Sequence, residues 1–165
     1  MGSPNGGIDT GDTDIAIVRP PLVGVDAVVT TLLSEPCVAC VPENHAFATL
    51  TSVTVQQLLP EPIVAAPGDN VWRDFWTLSP YRDAPANIAY EAATFEAELQ
   101  SVALGLGLSI VPASAGDLYA RPGVRFVPIE GMPECEVAAV HRSEAPRAAV
   151  NFAHIAMSTV ASRLR

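Results

Sequence analysis

Three cysteines and three histidines are the side chains of this sequence with the greatest potential for redox or metal chemistry. Cys37 and Cys40 have the C-x-x-C spacing of redox centres and of half a zinc site, but the second pair of zinc ligands is missing. They lie in an apolar run between two prolines, residues 36–42, which predicts a strand. Side chains three positions apart on a strand face opposite ways. We interpret both thiols as small buried hydrophobes, with metal or redox use as the minor alternative.

The histidines and glycines do not form the pattern of an enzyme. His45, His141 and His154 lack the spacing of metal ligands, and no G-x-S-x-G nucleophile motif occurs. The chain has no lysine, which excludes the lysine of a phosphate-binding loop. Gly105 and Gly107 follow a helical pattern and have no third glycine at the dinucleotide position, so they predict a helix end. We therefore expect a binding protein that is not an enzyme, without a cofactor or a metal.

An arginine after a buried strand is the best candidate for ligand binding. Arg19 and Pro20 directly follow the apolar run 14–18. Small ligands generally bind at the carboxyl ends of strands in α/β sheets, and a guanidinium there can hold a carboxylate through two charge-assisted hydrogen bonds. The alternative is a solvated arginine in an ordinary loop.

A second wall of a binding site is predicted after the apolar run 62–66. Ala66, Pro67, Asn70 and Val71 lie there, just before a predicted helix whose first backbone N–H groups could receive an anion. An ordinary loop is an equally good interpretation.

Three further residues are weaker candidates for ligand contacts. Thr94 begins the clearest helical pattern, residues 94–104, and a role as helix cap is sufficient to explain it. Ile110 and Val137 lie in predicted buried strands, where they could line the floor of a cleft, although packing alone also explains them.

The charge distribution limits the partners of this chain. Its net charge is −9, and its nine arginines are scattered from Arg19 to Arg165 without a cluster. Such a chain repels a phosphate backbone or an anionic membrane on average. No stretch reaches the ~18 apolar residues of a membrane span. An odd cysteine count fits a reducing cytoplasm better than a disulfide scaffold.

The hydrophobic pattern predicts the elements that position these residues. Short apolar runs rich in β-branched residues alternate with predicted helices over residues 52–59, 71–78, 94–104 and 146–164. Strands that alternate with helices predict an α/β fold with a mostly parallel sheet. Residues 1–7 are predicted to be a flexible leader outside the fold.

Six motifs in one order carry a resemblance to a known family. They are DIAIVRPP at 14–21, LSEPCVACVPENHAFA at 33–48, VTVQQLLPEPIV at 53–64, LQSVALGLGLSIVPAS at 99–114, GVRFVPI at 123–129 and VAAVHR at 137–142. Together they resemble the effector-binding domains of LysR-type bacterial transcription regulators over about residues 8–160.

The resemblance implies a type 2 periplasmic-binding-protein-like fold, in which two α/β lobes are joined by two crossing strands and a small effector binds in the cleft. Residues 8–40 and 108–165 would form a partial first lobe, and residues 41–107 the second. The crossings would lie near residues 34–40 and 108–112. The family's winged helix-turn-helix, its linker helix and the first elements of the first lobe would be missing before this chain.

The function implied by the resemblance is metabolite sensing. A small effector, such as an organic or aromatic acid, would control DNA binding by the missing helix-turn-helix in a cytoplasmic homo-oligomer, a dimer or tetramer. The first alternative is the solute-binding protein of a transport system, which shares the fold. The second is an enzyme on the same fold, whose catalytic motifs are not recognisable here.

Overall fold

A computed structural model describes residues 5–163 of the chain, which form two compact units. Unit 1 comprises Glu35–Glu134, and unit 2 comprises the described residues on either side of it. The chain therefore changes from one unit to the other at 34/35 and again at 134/135.

Nine strands and five helices are present in the described residues. The strands are β1 (Ala16–Val18), β2 (Val28–Glu35), β3 (Cys37–Pro42), β4 (Val53–Thr54), β5 (Ile63–Ala65), β6 (Ile88–Glu91), β7 (Ser109–Pro112), β8 (Val124–Glu130) and β9 (Cys135–His141). The helices are α1 (Val55–Leu58), α2 (Val71–Trp76), α3 (Phe95–Ala103), α4 (Ser114–Leu118) and α5 (Arg147–Arg163). Two short 3-10 turns lie at Ala46–Thr49 and Ser79–Tyr81. No helix within residues 5–163 is both long enough and apolar enough to span a membrane.

Unit 1 contains a four-stranded sheet of order β4-β8-β3-β7 and a two-stranded sheet, β5-β6. Strand β3 is antiparallel to both β7 and β8, whereas β4–β8 and β5–β6 are parallel pairs. The expectation of a mostly parallel sheet is therefore wrong, and the sheets are mixed. Alternation of strands and helices in the sequence does not determine which strands become neighbours. In this sheet β3 pairs with β7 and β8, and both pairs are antiparallel.

The two stretches predicted to cross do lie side by side, while the lobe bounds predicted at 40/41 and 107/108 stay a prediction beside the changes of unit at 34/35 and 134/135. Ala39 of β3 is opposite Ile110 of β7 in an antiparallel pair. Because β7 hydrogen-bonds to β3 and packs against α3, it remains within unit 1, and the second change of unit comes only at 134/135. The interpretation of the units as the two lobes of a receptor remains a prediction.

Helix α3 packs on the sheets of unit 1 through one apolar face, whose residues are spaced at i, i+4, i+7 and i+8. Leu99 and Val102 are fully buried, and Phe95 and Ala103 are partly buried against the same core. The helix begins at the Thr94 cap and ends before Gly105, which has a φ of +77° that favours glycine. The core it covers consists of Val38, Cys40, Val64, Ala92, Leu99, Val102, Val111, Ala115 and Val124.

Unit 2 is a three-stranded sheet of order β1-β9-β2 with α5 packed on β9. Within α5, Ala149 and Ala153 are buried, whereas Phe152 and Ile155 are 49% and 64% exposed. The prediction of a flexible leader over residues 1–7 does not hold at Asn5. This residue is buried, and its side-chain amide forms two hydrogen bonds with the backbone of Val23. Residues 1–4 lie outside the described residues.

Candidate functional site

The predicted second wall forms one edge of unit 1. Strands β5 and β6 are parallel, with Ala65 opposite Glu91, so their carboxyl ends share an edge. The Ala92 N–H donates to the Ala65 carbonyl at 2.8 Å and continues this pairing past the end of β6. The loop 66–70 leaves β5 at this edge, and residues 92–94 leave β6 beside it. The structure thus brings Ala66, Pro67, Asn70 and Val71 to the same edge as Thr94.

Both polar candidates at this edge act as helix caps. The Asn70 Oδ1 accepts a hydrogen bond from the Arg73 backbone N–H at 3.0 Å, and the Thr94 Oγ1 accepts from the Ala97 N–H at 3.1 Å. These bonds satisfy backbone donors that a helix start leaves without an intrahelical acceptor. Helix α2 has only six residues, and the side chain of Val71 at its start is 51% exposed. The cap interpretation is confirmed for Thr94, while a ligand contact there remains a prediction.

An ion pair at the same edge was missed by the sequence reasoning. The Arg73 Nη1 lies 2.8 Å from the Glu91 Oε1 and also donates to the Gly68 carbonyl. The Arg73 side chain is only 15% exposed, whereas that of Glu91 is 51% exposed. This bridge ties the loop after β5 to the end of β6. The sequence signal was weak, because neither residue belongs to a motif and their contact depends on the pairing of the two strands.

Arg19 and Pro20 belong to unit 2, directly after β1. The register pairs Val18 with Ala138, which places Arg19 next to Val137 near the start of β9. The Arg19 Nη1 lies 3.5 Å from the Cys135 Sγ, and both Arg19 and Pro20 are partly exposed. The position at a strand end agrees with the expectation, and the role of Arg19 in ligand binding remains a prediction.

Ile110 and Val137 differ in their access to solvent. Ile110 is 2% exposed in the middle of β7, opposite Ala39, so packing in the four-stranded sheet accounts for it. Val137 is partly exposed in β9. Leu108, just before β7, pairs in parallel with Ile63 of β5, and a ligand contact at Ile110 or Val137 remains a prediction.

A buried polar group was also missed, on the core face of α3. Glu98 is 7% exposed, and the Ser109 hydroxyl of β7 donates a hydrogen bond to its Oε1. Burial raises the pKa of the Glu98 carboxyl to about 7, although the hydrogen bond from Ser109 acts in the opposite direction. A signal was present in the sequence, since Glu98 lies three residues after Phe95 and four before Val102 on one helix face.

Cys37 and Cys40 are buried, as predicted, and Cys135 is buried as well. Cys37, Cys40 and Cys135 are at most 2% exposed. Burial, with a smaller contribution from the charge of Glu98, raises the pKa of the Cys40 thiol to about 12. Across residues 5–163, no three side chains of the metal-binding types come close enough together to hold an ion.

The sequence matches the profile of the family described as LysR substrate binding domain over residues 3–158. Among curated proteins, it is 30% identical over 112 residues to the HTH-type transcriptional regulator AlsR of Bacillus subtilis (strain 168). That alignment covers 66% of this chain and 37% of AlsR, so the chain spans well under half the length of this relative.

Several solved structures share the fold. The effector-binding domain of a BenM variant superposes with a TM-score of 0.76 at 16% identity, over 95% of this chain and 75% of that domain. The Synechocystis PCC6803 CcmR regulatory domain in complex with 2-PG gives a TM-score of 0.73 at 17% identity, over 93% and 76% of the two chains. A full-length OxyR variant from Pseudomonas aeruginosa gives a TM-score of 0.70 at 24% identity, over 92% and 57%. The mixed α/β architecture is thus the type 2 periplasmic-binding-protein-like fold of these domains, and the family match over residues 3–158 shows that the chain belongs to the LysR substrate-binding domain family.

Proposed function

We propose that this chain is the effector-sensing domain of a LysR-type bacterial transcription regulator. The observation that carries the proposal is the family match over residues 3–158. AlsR, a relative over part of its length, is a helix-turn-helix transcriptional regulator, which supports the same role for the full-length protein. The match favours this function over the solute-binding protein of a transport system and over an enzyme.

The proposed effector is a small organic or aromatic acid. A neighbour of the same fold was solved in complex with the small molecule 2-PG, which supports a small ligand for this family. Two candidate regions are proposed separately: in unit 2, the Arg19 guanidinium would hold a carboxylate, and in unit 1, the edge formed by residues 66–71 and Thr94 would contact a ligand. Preferential binding to one of two states of the full-length protein would then change its affinity for DNA.

DNA would be bound by a winged helix-turn-helix elsewhere in the full-length protein. The net charge of −9 makes direct contact between this chain and a phosphate backbone unfavourable, so the domain would act on DNA only indirectly. We propose a cytoplasmic homo-oligomer as the working form, with neither a cofactor nor a membrane partner.

A thermal-shift screen of this chain tests the proposal. The probes are benzoate, acetate, citrate and 2-PG, with benzamide and acetamide as uncharged controls for the first two. An effector at 100 times its dissociation constant adds about 2.7 kcal/mol of stability, which raises the Tm by roughly 5–10 °C for a chain of this size. If neither benzoate nor acetate raises the Tm above its uncharged control, and neither citrate nor 2-PG raises it above that of the ligand-free chain, sensing of organic acids by this domain is contradicted.

The role of Arg19 is tested separately on any acid that binds. Arg19→Gln removes the charge, and calorimetric titration should show affinity reduced about 10- to 100-fold, because a hydrogen bond to a charged group contributes about 1.5–3 kcal/mol. The matched control is Arg147→Gln, which removes an exposed arginine from α5 in the same unit. Equal affinities of the two variants would exclude Arg19 as the carboxylate ligand and leave the sensor function standing.

A further inference from the structure

A carboxyl group lies inside the apolar core of unit 1. Glu98 is on the face of α3 that covers the sheets, next to the buried Leu99 and one turn before the equally buried Val102. Only 7% of the residue is exposed. A buried carboxylate is far more costly than a buried neutral carboxyl, so this position favours the protonated form.

The polar neighbours of Glu98 are neutral. Ser109, 1% exposed on β7, donates its hydroxyl hydrogen to the Glu98 Oε1. Cys40 of β3 is directly opposite Ser109 in the antiparallel register and is completely buried. Because burial keeps the Cys40 thiol protonated at neutral pH, with its pKa raised to about 12, it adds no charge to this cluster.

Within the described part of the chain, no positively charged side chain pairs with the Glu98 carboxyl group. Helix α3 packs on β3, β5, β7 and β8, of which β5 and β7 have no ionisable side chain and β3 has only cysteines. The charged residues of β8 are Arg125 and Glu130, both exposed. Arg121, in the loop that follows α4, binds Glu96 through both of its Nη atoms at 2.5 and 2.8 Å.

We propose that Glu98 is a proton-dependent latch, which holds α3 against β7 when neutral and loosens the first turns of the helix when it ionises. Ionisation of Glu98 affects the edge at the carboxyl ends of β5 and β6 through the backbone. The Glu98 N–H donates to the Thr94 carbonyl at 3.0 Å, and the Thr94 hydroxyl caps the same turn. Loosening of this turn therefore releases Thr94 from its position after β6. An effect of pH on effector binding follows only if the proposed function is also correct.

The pH range over which Glu98 affects stability follows from its pKa in the unfolded chain and in the folded chain. In the unfolded chain its pKa has the ordinary value of 4.5, whereas burial raises it to about 7 in the folded chain. Below pH 4.5, Glu98 is protonated in both the unfolded and the folded chain, and its full contribution to stability is present. Between the two values the unfolded chain releases the proton and the folded chain retains it, so stability is lost as pH rises and stays low above the upper value.

The decisive measurement is the titration of the Glu98 carboxyl in the wild-type chain, followed by 13C NMR with assignment through Glu98→Gln. A midpoint near neutral pH is expected, and a midpoint at the ordinary glutamate value would overturn the latch. Ser109→Ala removes the hydrogen bond that lowers the pKa of Glu98, so the titration midpoint of Glu98 in this variant should move to higher pH. An unchanged or lower midpoint in Ser109→Ala would equally contradict the proposed contact.

Hydrogen exchange and thermal melting then test the structural consequence. From about pH 5 to about pH 8, the contribution of Glu98 should lower the wild-type Tm by roughly 5–10 °C relative to Glu98→Gln, which cannot ionise but keeps an oxygen for Ser109. Protection of the amides of residues 97–99, corrected for intrinsic exchange, should fall over the same range. Glu96→Gln, on the exposed side of the same helix, should keep the wild-type pH response.

The same pH response in Glu98→Gln as in the wild type would refute the latch, and so would amide protection at residues 97–99 that is independent of pH. All of these measurements are made without an effector. A failed latch therefore leaves the proposed sensing function intact, and a failed ligand screen leaves the latch intact.

Discussion

Replacing Gly107 by alanine should destabilise unit 1 because there is no space for a side chain. A Cβ added at this buried glycine would lie 2.7 Å from the Pro62 carbonyl oxygen and 3.0 Å from its carbon. Both atoms belong to the backbone, so no rotamer change can relieve the contact. The chain segments at Pro62 and Gly107 would have to move apart.

The expected size of the effect follows from what that separation breaks. The Leu108 N–H donates to the Pro62 carbonyl at 2.9 Å, and the Val64 N–H donates to the Leu108 carbonyl at 2.8 Å. Overpacking costs about 1–3 kcal/mol, and each weakened backbone hydrogen bond adds about 1 kcal/mol. With two such bonds, we expect Gly107→Ala to lower the free energy of unfolding by about 3–5 kcal/mol.

Gly116→Ala provides the matched control. Gly116 lies within α4, and a Cβ there would be 3.6 Å from the Phe126 Cβ, an ordinary contact. Because alanine is favoured over glycine inside a helix, this change should be neutral or stabilise by up to about 1 kcal/mol. The two substitutions add the same methyl group, and only Gly107→Ala should destabilise the chain.

Urea unfolding followed by tryptophan fluorescence is the assay. Trp72 and Trp76 are the two tryptophans of the chain, and both lie in unit 1, so the signal reports on this unit. If Gly107→Ala is within about 0.5 kcal/mol of the wild type, the usual range of neutral surface substitutions, the close approach of residues 62 and 107 is wrong.

Two further predictions concern α3 and the core. Thr94→Ala removes the cap of α3 and should cost about 1 kcal/mol in urea unfolding, whereas Thr159→Ala on the exposed side of α5 should change little; equal effects would argue against the cap. Cys40 should resist iodoacetamide in the folded chain, because the thiol is fully buried and its pKa is raised to about 12, and it should react after unfolding in urea. Mass spectrometry locates the label, and labelling of Cys40 at equal rates in both states would contradict its burial.

Local chemistry was sufficient to predict α3 almost completely. The helix was expected over residues 94–104 and is found at Phe95–Ala103, with the Thr94 cap and the Gly105 stop where they were expected. A cap bonds a donor three residues away, and a left-handed glycine closes the last turn, so both signals act within a few residues of the chain.

The candidate site was only partly predictable. Pro67, Asn70 and Thr94 were placed correctly after strands, and the parallel pairing of β5 with β6 brings them to one edge. The ion pair of Arg73 with Glu91 at this edge was missed, because its partners are brought together by the strand register and not by their spacing. The ligand roles assigned to these residues, and to Arg19, are still predictions.

By itself, the sequence determined the family of this protein, through the order of its motifs, and the identity of most helices and strands, through hydrophobic spacing and caps. Only the tertiary structure decided which strands pair and in which direction, where the chain changes from one compact unit to the other, and that Glu98 meets Ser109 opposite Cys40. The physical reason is range: propensities and caps act over a few residues, whereas strand pairing and burial depend on segments far apart in the chain.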